Sequence, residues 1–365
     1  MSTGADTGMN DPLTPETGRS AGAALPEPRP PVPRGRLGLT QNPLFARLAS
    51  IQRRLPLMQA AALALLFAYG AASLDGFSRY SSIKTMLIIA AFLGIAAVGQ
   101  QIVILIGGVD LSVPAFITVG NFMVPQLAGI HGWPFGLAVV AQIVVAIAIG
   151  AGTGWICNRF KVEPLVVTLG VGTVVIGAVA VWTNGLVDAG VPAWVSRLTS
   201  PATDSFGLDI PPIVVIWAVI AILMAVLLHK TVIGRRIYAS GANPRAAEVG
   251  LVPVRRVWMF AFALSAVAAS FAGLMLAGFS GTGNIRIGDT YLFSSLASVI
   301  VGGTALVGAR GDYWRTVLGA ILLTMLTTIL IGHGLGQGGQ QVFYGLVILL
   351  VVPAYGRDRR TADRI

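Results

Sequence analysis

Residues 85–113 read TMLIIAAFLGIAAVGQQIVILIGGVDLSV. The first part, 85–106, carries no charge and exceeds the ~20 apolar residues that a perpendicular transmembrane helix needs. Gly107, Gly108 and Asp110 then interrupt it. An ionisable group inside or beside membrane helices is costly to bury and is a functional-site candidate by default. The plain alternative is that Asp110 turns the chain at a membrane surface and caps the next helix, where an anion is favourable. Both readings stay open on the sequence.

Outward from this stretch, apolar segments recur at 56–74, 85–106, 113–130, 134–157, 164–183, 211–229, 257–280, 291–308, 316–332 and 341–354. With 55% hydrophobic and 11% charged residues in 365, the chain has more apolar surface than a water-soluble globule can hide. The pattern predicts an all-α polytopic membrane protein of about ten transmembrane helices within 46–356. Several segments fall short of a full span, so tilt or glycine breaks are expected in them.

The first 45 residues are rich in Pro, Gly, Ser and Thr without apolar period, which predicts a disordered cytoplasmic tail. No apolar run begins near Met1, so no cleavable signal peptide is expected. A short basic tail, 357–365, closes the chain. With both termini cytoplasmic and ten spans, 21 of 25 Lys and Arg fall inside, leaving Arg79, Lys84, Arg197 and Arg286 outside. A pI near 10.5 is explained by this topology, and no nucleic-acid partner is expected.

One cysteine, Cys157, excludes an internal disulfide, and His131, His229 and His333 lack metal-ligand spacing, so no metal site is expected. Gln100, Gln101, Asp110, Ser112 and Asn121 form a polar group suited to a hydroxylated solute, the candidate pathway residues. Irregular backbone at membrane depth is tolerated only where protein or a water-filled cavity satisfies it. Ile106-Gly107-Gly108-Val109 is echoed 195 residues later by Val301-Gly302-Gly303-Thr304, which predicts two weakly related halves, as in many transporters. Glycines at 170, 172, 177, 185, 302, 303, 308 and 311 are expected to let helices pack closely. Trp155, Trp182, Trp217 and Tyr291 are expected in interfacial belts.

The cytoplasmic loop 230–256 contains Gly241-Ala242-Asn243-Pro244-Arg245-Ala246-Ala247-Glu248-Val249-Gly250, the pattern of a short isolated helix. Asn243 suits the N-cap, Pro244 the first helical position and Gly250 the residue past the end. A helix this short needs a surface to pack on, either the inner membrane face or a partner. The outer loop 184–210, with Asp188, Asp204 and Asp209 against Arg197, is either a docking surface or a solvated connector.

Residues 231–251, TVIGRRIYASGANPRAAEVGL, resemble the cytoplasmic loop of ribose-type ABC sugar importer permeases, and Gly107–Val113 resembles that family's other signature. Ala297–Thr304 and the segment from Gln340 and Gln341 onward match in the same order, over about 85–354. Pro114, Ala242 and Tyr344 depart from the family's usual residues. The resemblance implies a multi-pass permease of the bacterial inner membrane that is not itself an enzyme. It implies a second permease chain, homo- or heterodimeric, a periplasmic substrate-binding protein and a cytoplasmic ATPase that binds ATP-Mg. No cofactor is expected on this chain, which has no G-x-x-x-x-G-K-[ST] loop. Gly241, Asn243, Pro244, Arg245, Ala246, Ala247 and Glu248 would couple to the ATPase, and the cargo would be a monosaccharide or similar small polyol. The alternatives are a branched-chain amino acid or nucleoside importer, or an ion-gradient-driven secondary carrier. Asp110 is the only acid close to a span interior, which counts against a carrier's proton relay.

Overall fold

A computed structural model describes residues 56–184 and 190–356, with 351–356 as backbone alone. The tails predicted at 1–45 and 357–365 lie outside the described residues, as do 185–189 of the outer loop. Thirteen α-helices are described: α1 (Leu57–Ser73), α2 (Tyr80–Leu105), α3 (Val113–Val124), α4 (Phe135–Phe160), α5 (Pro164–Thr183), α6 (Ala193–Thr199), α7 (Pro212–Lys230), α8 (Val232–Ala242), α9 (Pro244–Val249), α10 (Val254–Ser280), α11 (Asp289–Val301), α12 (Tyr313–Gly332) and α13 (Gln337–Gly356). Among the described residues there is no sheet, only an isolated bridge between Ser205 and Leu208.

Each of the ten predicted apolar segments falls on a helix. Among the described residues, seven helices are long and apolar enough to cross a membrane: α2, α3 with its extension to Ile130, α4, α5, α7, α10 and α12. The extension is a π-helical segment, Pro125–Ile130, that starts where Pro125 removes an N–H from the α-helical ladder. At 17 and 13 residues, α1 and α11 are shorter. A 13-residue helix is ~20 Å long against a ~30 Å hydrocarbon core, because α11 stops at the second glycine pair instead of running to residue 308.

Burial sorts these helices. The most apolar window of α2 is 89% buried, as expected of a helix apolar all round at the centre of a bundle. In α4 and α5 that share is 22%, and their outward apolar faces are of the kind a bilayer solvates. The long helix α10 runs beside α2, α3 and α4 at glycine contacts. A Cβ on Gly99 would lie 2.2 Å from Ser265 Cα, one on Gly120 1.8 Å from the Ser270 carbonyl oxygen, and one on Gly154 2.4 Å from that of Trp258. Small residues allow such approach where no water drives association.

These are not all the glycines the sequence pointed to. Gly170 and Gly177 face open space, Gly172 makes only ordinary contact, and Gly185 lies outside the described residues. A Cβ on Gly302 would lie 2.7 Å from the Arg315 carbonyl oxygen and one on Gly311 2.4 Å from Thr304, and Gly303, Gly308 and Gly311 also have positive φ. Trp217 and Tyr291, expected at an interface, are buried. Trp217 packs on Gly94 and donates to the Tyr313 hydroxyl at 3.2 Å, and that hydroxyl donates to the Gly94 carbonyl at 2.7 Å.

The outer loop is folded onto the bundle. Val195 and Thr199 of α6 are fully buried, and α6 packs along α10. Further on, Lys84 at the start of α2 pairs with the Asp209 carboxylate, and the Tyr80 hydroxyl donates to the Asp209 carbonyl at 2.6 Å.

The packing predicts a sharp contrast between two glycines. Gly120→Ala overfills the α3–α10 contact and should cost about 1–3 kcal/mol, whereas Gly170→Ala, facing open space, should leave stability equal or slightly higher. Thermal unfolding of the purified variants in detergent measures both.

Candidate functional site

The break after α2 is a closing motif with one carbonyl left over. Gly107, at φ 87°, donates to the Ile104 carbonyl at 2.9 Å, and Gly108 donates to that of Val103 at 2.9 Å. This is the Schellman pattern, and it satisfies two orphan carbonyls of the helix end. The Leu105 carbonyl instead accepts from Ala309 N at 2.8 Å, about two hundred residues further along the chain.

Ala309 belongs to the second break, 302–312, which follows α11 with the same motif. Gly303, at φ 98°, donates to the Ile300 carbonyl at 2.9 Å, and Thr304 N donates to that of Val299 at 3.1 Å. The two halves therefore share a helix-ending device. The conformational counterpart of Gly107 is Gly303, one residue past the match that the glycine pairs give.

The segment 230–256 enters the same place. A Cβ on Gly241, near the end of α8, would lie 1.9 Å from the Leu105 carbonyl oxygen and 2.9 Å from Ala309 N. A Cβ on Gly308 would lie 3.1 Å from Gly107 N and from the carbonyl oxygens of Gly241 and Leu105. Tyr238 on α8 donates to the Gly311 carbonyl at 2.8 Å. His229 at the end of α7 stands 3.2 Å from Asp312, the N-cap of α12. Both breaks and the segment 230–256 thus meet backbone to backbone, with no side chain between them at Gly241.

Every candidate pathway residue is buried, and they do not form one cluster. Asp110, 2% exposed, accepts from Ser112 N at 2.8 Å and from the Ser112 hydroxyl with one oxygen, and from the Ser265 hydroxyl of α10 at 2.6 Å with the other. Burial raises this carboxyl above the ordinary range, and the three hydrogen bonds pull it back. Ser112 is the N-cap position of α3, so the carboxylate both shapes the helix entry and latches it to α10. Pro114 sits in the first turn, where its missing N–H costs nothing.

The remaining three pathway residues lie elsewhere. Gln101 accepts from Thr304 at 2.8 Å and Thr316 at 2.6 Å, tying α2 to the second break and α12. Gln100 Oε1 and Gln101 Nε2 are buried without a hydrogen-bond partner among the described residues. Asn121 accepts from Asn284 N at 2.8 Å and reaches the Gly273 carbonyl at 3.4 Å. Ser265, Thr304 and Thr316 are the partners that reading the sequence missed, because nothing local to them marks a contact with residues over a hundred positions away.

The predicted helix at 241–250 is two pieces. Gly241 and Ala242 finish α8, and α9 runs Pro244–Val249. Asn243 is the N-cap as expected, its Oδ1 accepting from Ala246 N at 3.1 Å, with Pro244 in the first turn. Ala247 is buried, while Asn243, Pro244, Arg245, Ala246 and Glu248 are exposed. The positive φ at its end falls on Leu251, 59°, and not on Gly250, at −76°. Val252 N and Leu251 N close the turn on the carbonyls of Ala247 and Glu248 at 2.9 and 3.0 Å. Leu251 is 90% exposed and Val249 85%, two apolar side chains displayed to water beside the charged face.

A bundle with seven described helices long and apolar enough to cross a membrane has the architecture of a multi-pass membrane protein. A family profile described as "branched-chain amino acid transport system / permease component" matches residues 82–352. The chain belongs to this family of ABC transporter permeases. It is 30% identical to the ribose import permease protein RbsC of Bacillus subtilis over 74% of this chain and 83% of that one. It is also 30% identical to RbsC of Escherichia coli K12, over 71% and 80%, and to the autoinducer 2 import system permease LsrC of Salmonella paratyphi B, over 79% and 82%. No solved structure matches.

The latch makes a prediction. Asp110→Ala strands three buried donors, each costing about 1–3 kcal/mol, so the permease should lose at least about 3 kcal/mol of stability. Asp110→Asn keeps an acceptor oxygen, lets the Ser265 hydroxyl turn to accept, and should stay close to wild type. Thermal unfolding separates the two, and equal stability of Asp110→Ala would remove the latch.

Proposed function

We propose that this chain is the membrane subunit of an ATP-driven importer that passes a monosaccharide or similar small polyol handed over by a periplasmic binding protein. ATP and Mg are held by a separate ATPase chain, and two permease chains enclose the path. The observation that carries this reading is α9. It is a capped helix whose outer face is free while its base, at Gly241, is seated against both helix breaks. A lever of that shape does nothing for a lone carrier and is useful when a second protein moves it.

Sugar as cargo is supported by the ribose permeases among the relatives and by the family signatures on this chain. The branched-chain amino acid wording of the family profile favours the nearest alternative. An ion-gradient carrier has less support, since the acid nearest a span interior, Asp110, is held by three hydrogen bonds. The pathway role of Gln100, Gln101, Asp110, Ser112 and Asn121 remains part of this proposal. Their burial in the single chain means that any contact with cargo requires the breaks to open.

Two variants test the lever. Reversing charge in Arg245→Glu/Glu248→Arg should uncouple ATP hydrolysis from uptake, and Leu251→Asp should weaken ATPase association by about 2 kcal/mol, as expected of a central apolar contact. Reconstituted vesicles assayed with a panel of radiolabelled aldoses and amino acids report uptake per ATP hydrolysed. Unchanged coupling in the charge reversal would sink the assignment of α9.

A further inference from the structure

The outer loop holds a feature that the fold does not need. Ser205 and Leu208 exchange both backbone hydrogen bonds, at 3.0 and 2.9 Å, around Phe206 and Gly207. Both central residues have positive φ, 54° and 77°, the requirement of the tight two-residue turn that favours Asn-Gly or Gly-Gly. Phenylalanine is a poor choice there, because its Cβ crowds the backbone in the left-handed region. Its ring is also 96% exposed, with Leu208 beside it 61% exposed. The position is strained and the side chain packs on nothing.

The turn is nevertheless held firmly. Ser205 is buried and its hydroxyl donates to the Ile210 carbonyl at 2.8 Å. Asp209, just past the turn, is fixed at its carbonyl by Tyr80 and at its carboxylate by Lys84, both in the first turns of α2. Lys84 also donates to the Pro201 carbonyl at 3.2 Å. An apolar ring on a rigid mount has little entropy to lose on binding, the property of an anchor residue.

We infer that the Phe206–Leu208 turn is a docking anchor for a protein on the outer face, the substrate-binding protein of this importer. The inference rests on the importer reading above. Charge favours a protein over the outer leaflet: Asp204, two residues before the ring, is exposed, and a carboxylate beside the ring opposes insertion among anionic headgroups. The side is the one that the distribution of Lys and Arg assigns to the exterior. The partner surface would be an apolar pocket with a basic rim.

Phe206→Gly separates an anchor from a structural residue, since glycine relieves the left-handed strain while deleting the ring. The full permease would be placed in nanodiscs with the ATPase of the importer and titrated with its periplasmic binding protein. Thermal unfolding would be recorded in parallel. The expected result is higher thermal stability together with about a tenfold or greater rise in the binding-protein concentration that half-maximally stimulates ATP hydrolysis. Phe206→Tyr, which keeps a ring, should titrate like wild type. Equal titration by Phe206→Gly overturns this inference alone, whereas wild type that never responds to the binding protein overturns the importer reading with it. A stability loss in nanodiscs that is absent in detergent would place the ring in the bilayer and also overturn the inference.

Discussion

The Leu105 carbonyl is the constraint on which the rest of the structure turns. In a bilayer or a packed interior, a backbone carbonyl without a partner costs several kcal/mol, and the motif that ends α2 satisfies its neighbours but leaves this one over. Its partner comes from a segment two hundred residues away, so the first break is complete only when the second is in place. That demand explains the local choices around it. Ala309 accepts a left-handed backbone to aim its N–H, and Gly308 and Gly241 lack side chains because the carbonyl lies too close to admit them. One carbonyl oxygen thereby joins both breaks to the segment 230–256.

The same geometry gives the two breaks different work. The first is fastened sideways: Asp110 reaches α10 through Ser265, and Leu111 N donates to Thr168 of α5 at 3.0 Å. The second is fastened to the cytoplasmic elements through Tyr238, His229 and Gly241. The helix α8 therefore touches both breaks, the second through Tyr238 and the first at the end of α2, where Gly241 meets Leu105.

Much of this was legible in the sequence, and the limits have physical causes. Apolar runs locate the helices because lipid selects on hydropathy alone, and the Asn243–Pro244 start of α9 is visible because capping is local chemistry. Length failed for α11, since hydropathy continues through Gly302 and Gly303 although the backbone does not. The packing role of glycines at 170 and 177 failed for a related reason. A glycine in a membrane helix looks alike whether it meets a backbone, as Gly120 does, or faces outward. The partners of Asp110 and Gln101 were out of reach, because serines and threonines in apolar helices usually satisfy themselves on the preceding turn, as Thr153 and Thr173 do here.

The positions of positive φ carry the last step. Among the described residues, five other than glycine adopt it, and two of them, Phe206 and Leu251, are bulky and apolar and 96% and 90% exposed. They stand in aqueous loops at opposite ends of the bundle. A membrane protein has little choice about where such residues go: against lipid tails a leucine or phenylalanine gains nothing by meeting another apolar surface, because both are already in hydrocarbon. Only in water does burying an apolar ring contribute binding energy. Strain tolerated in loops, for side chains the core does not use, thus falls where a neighbour on either side of the membrane would find an anchor.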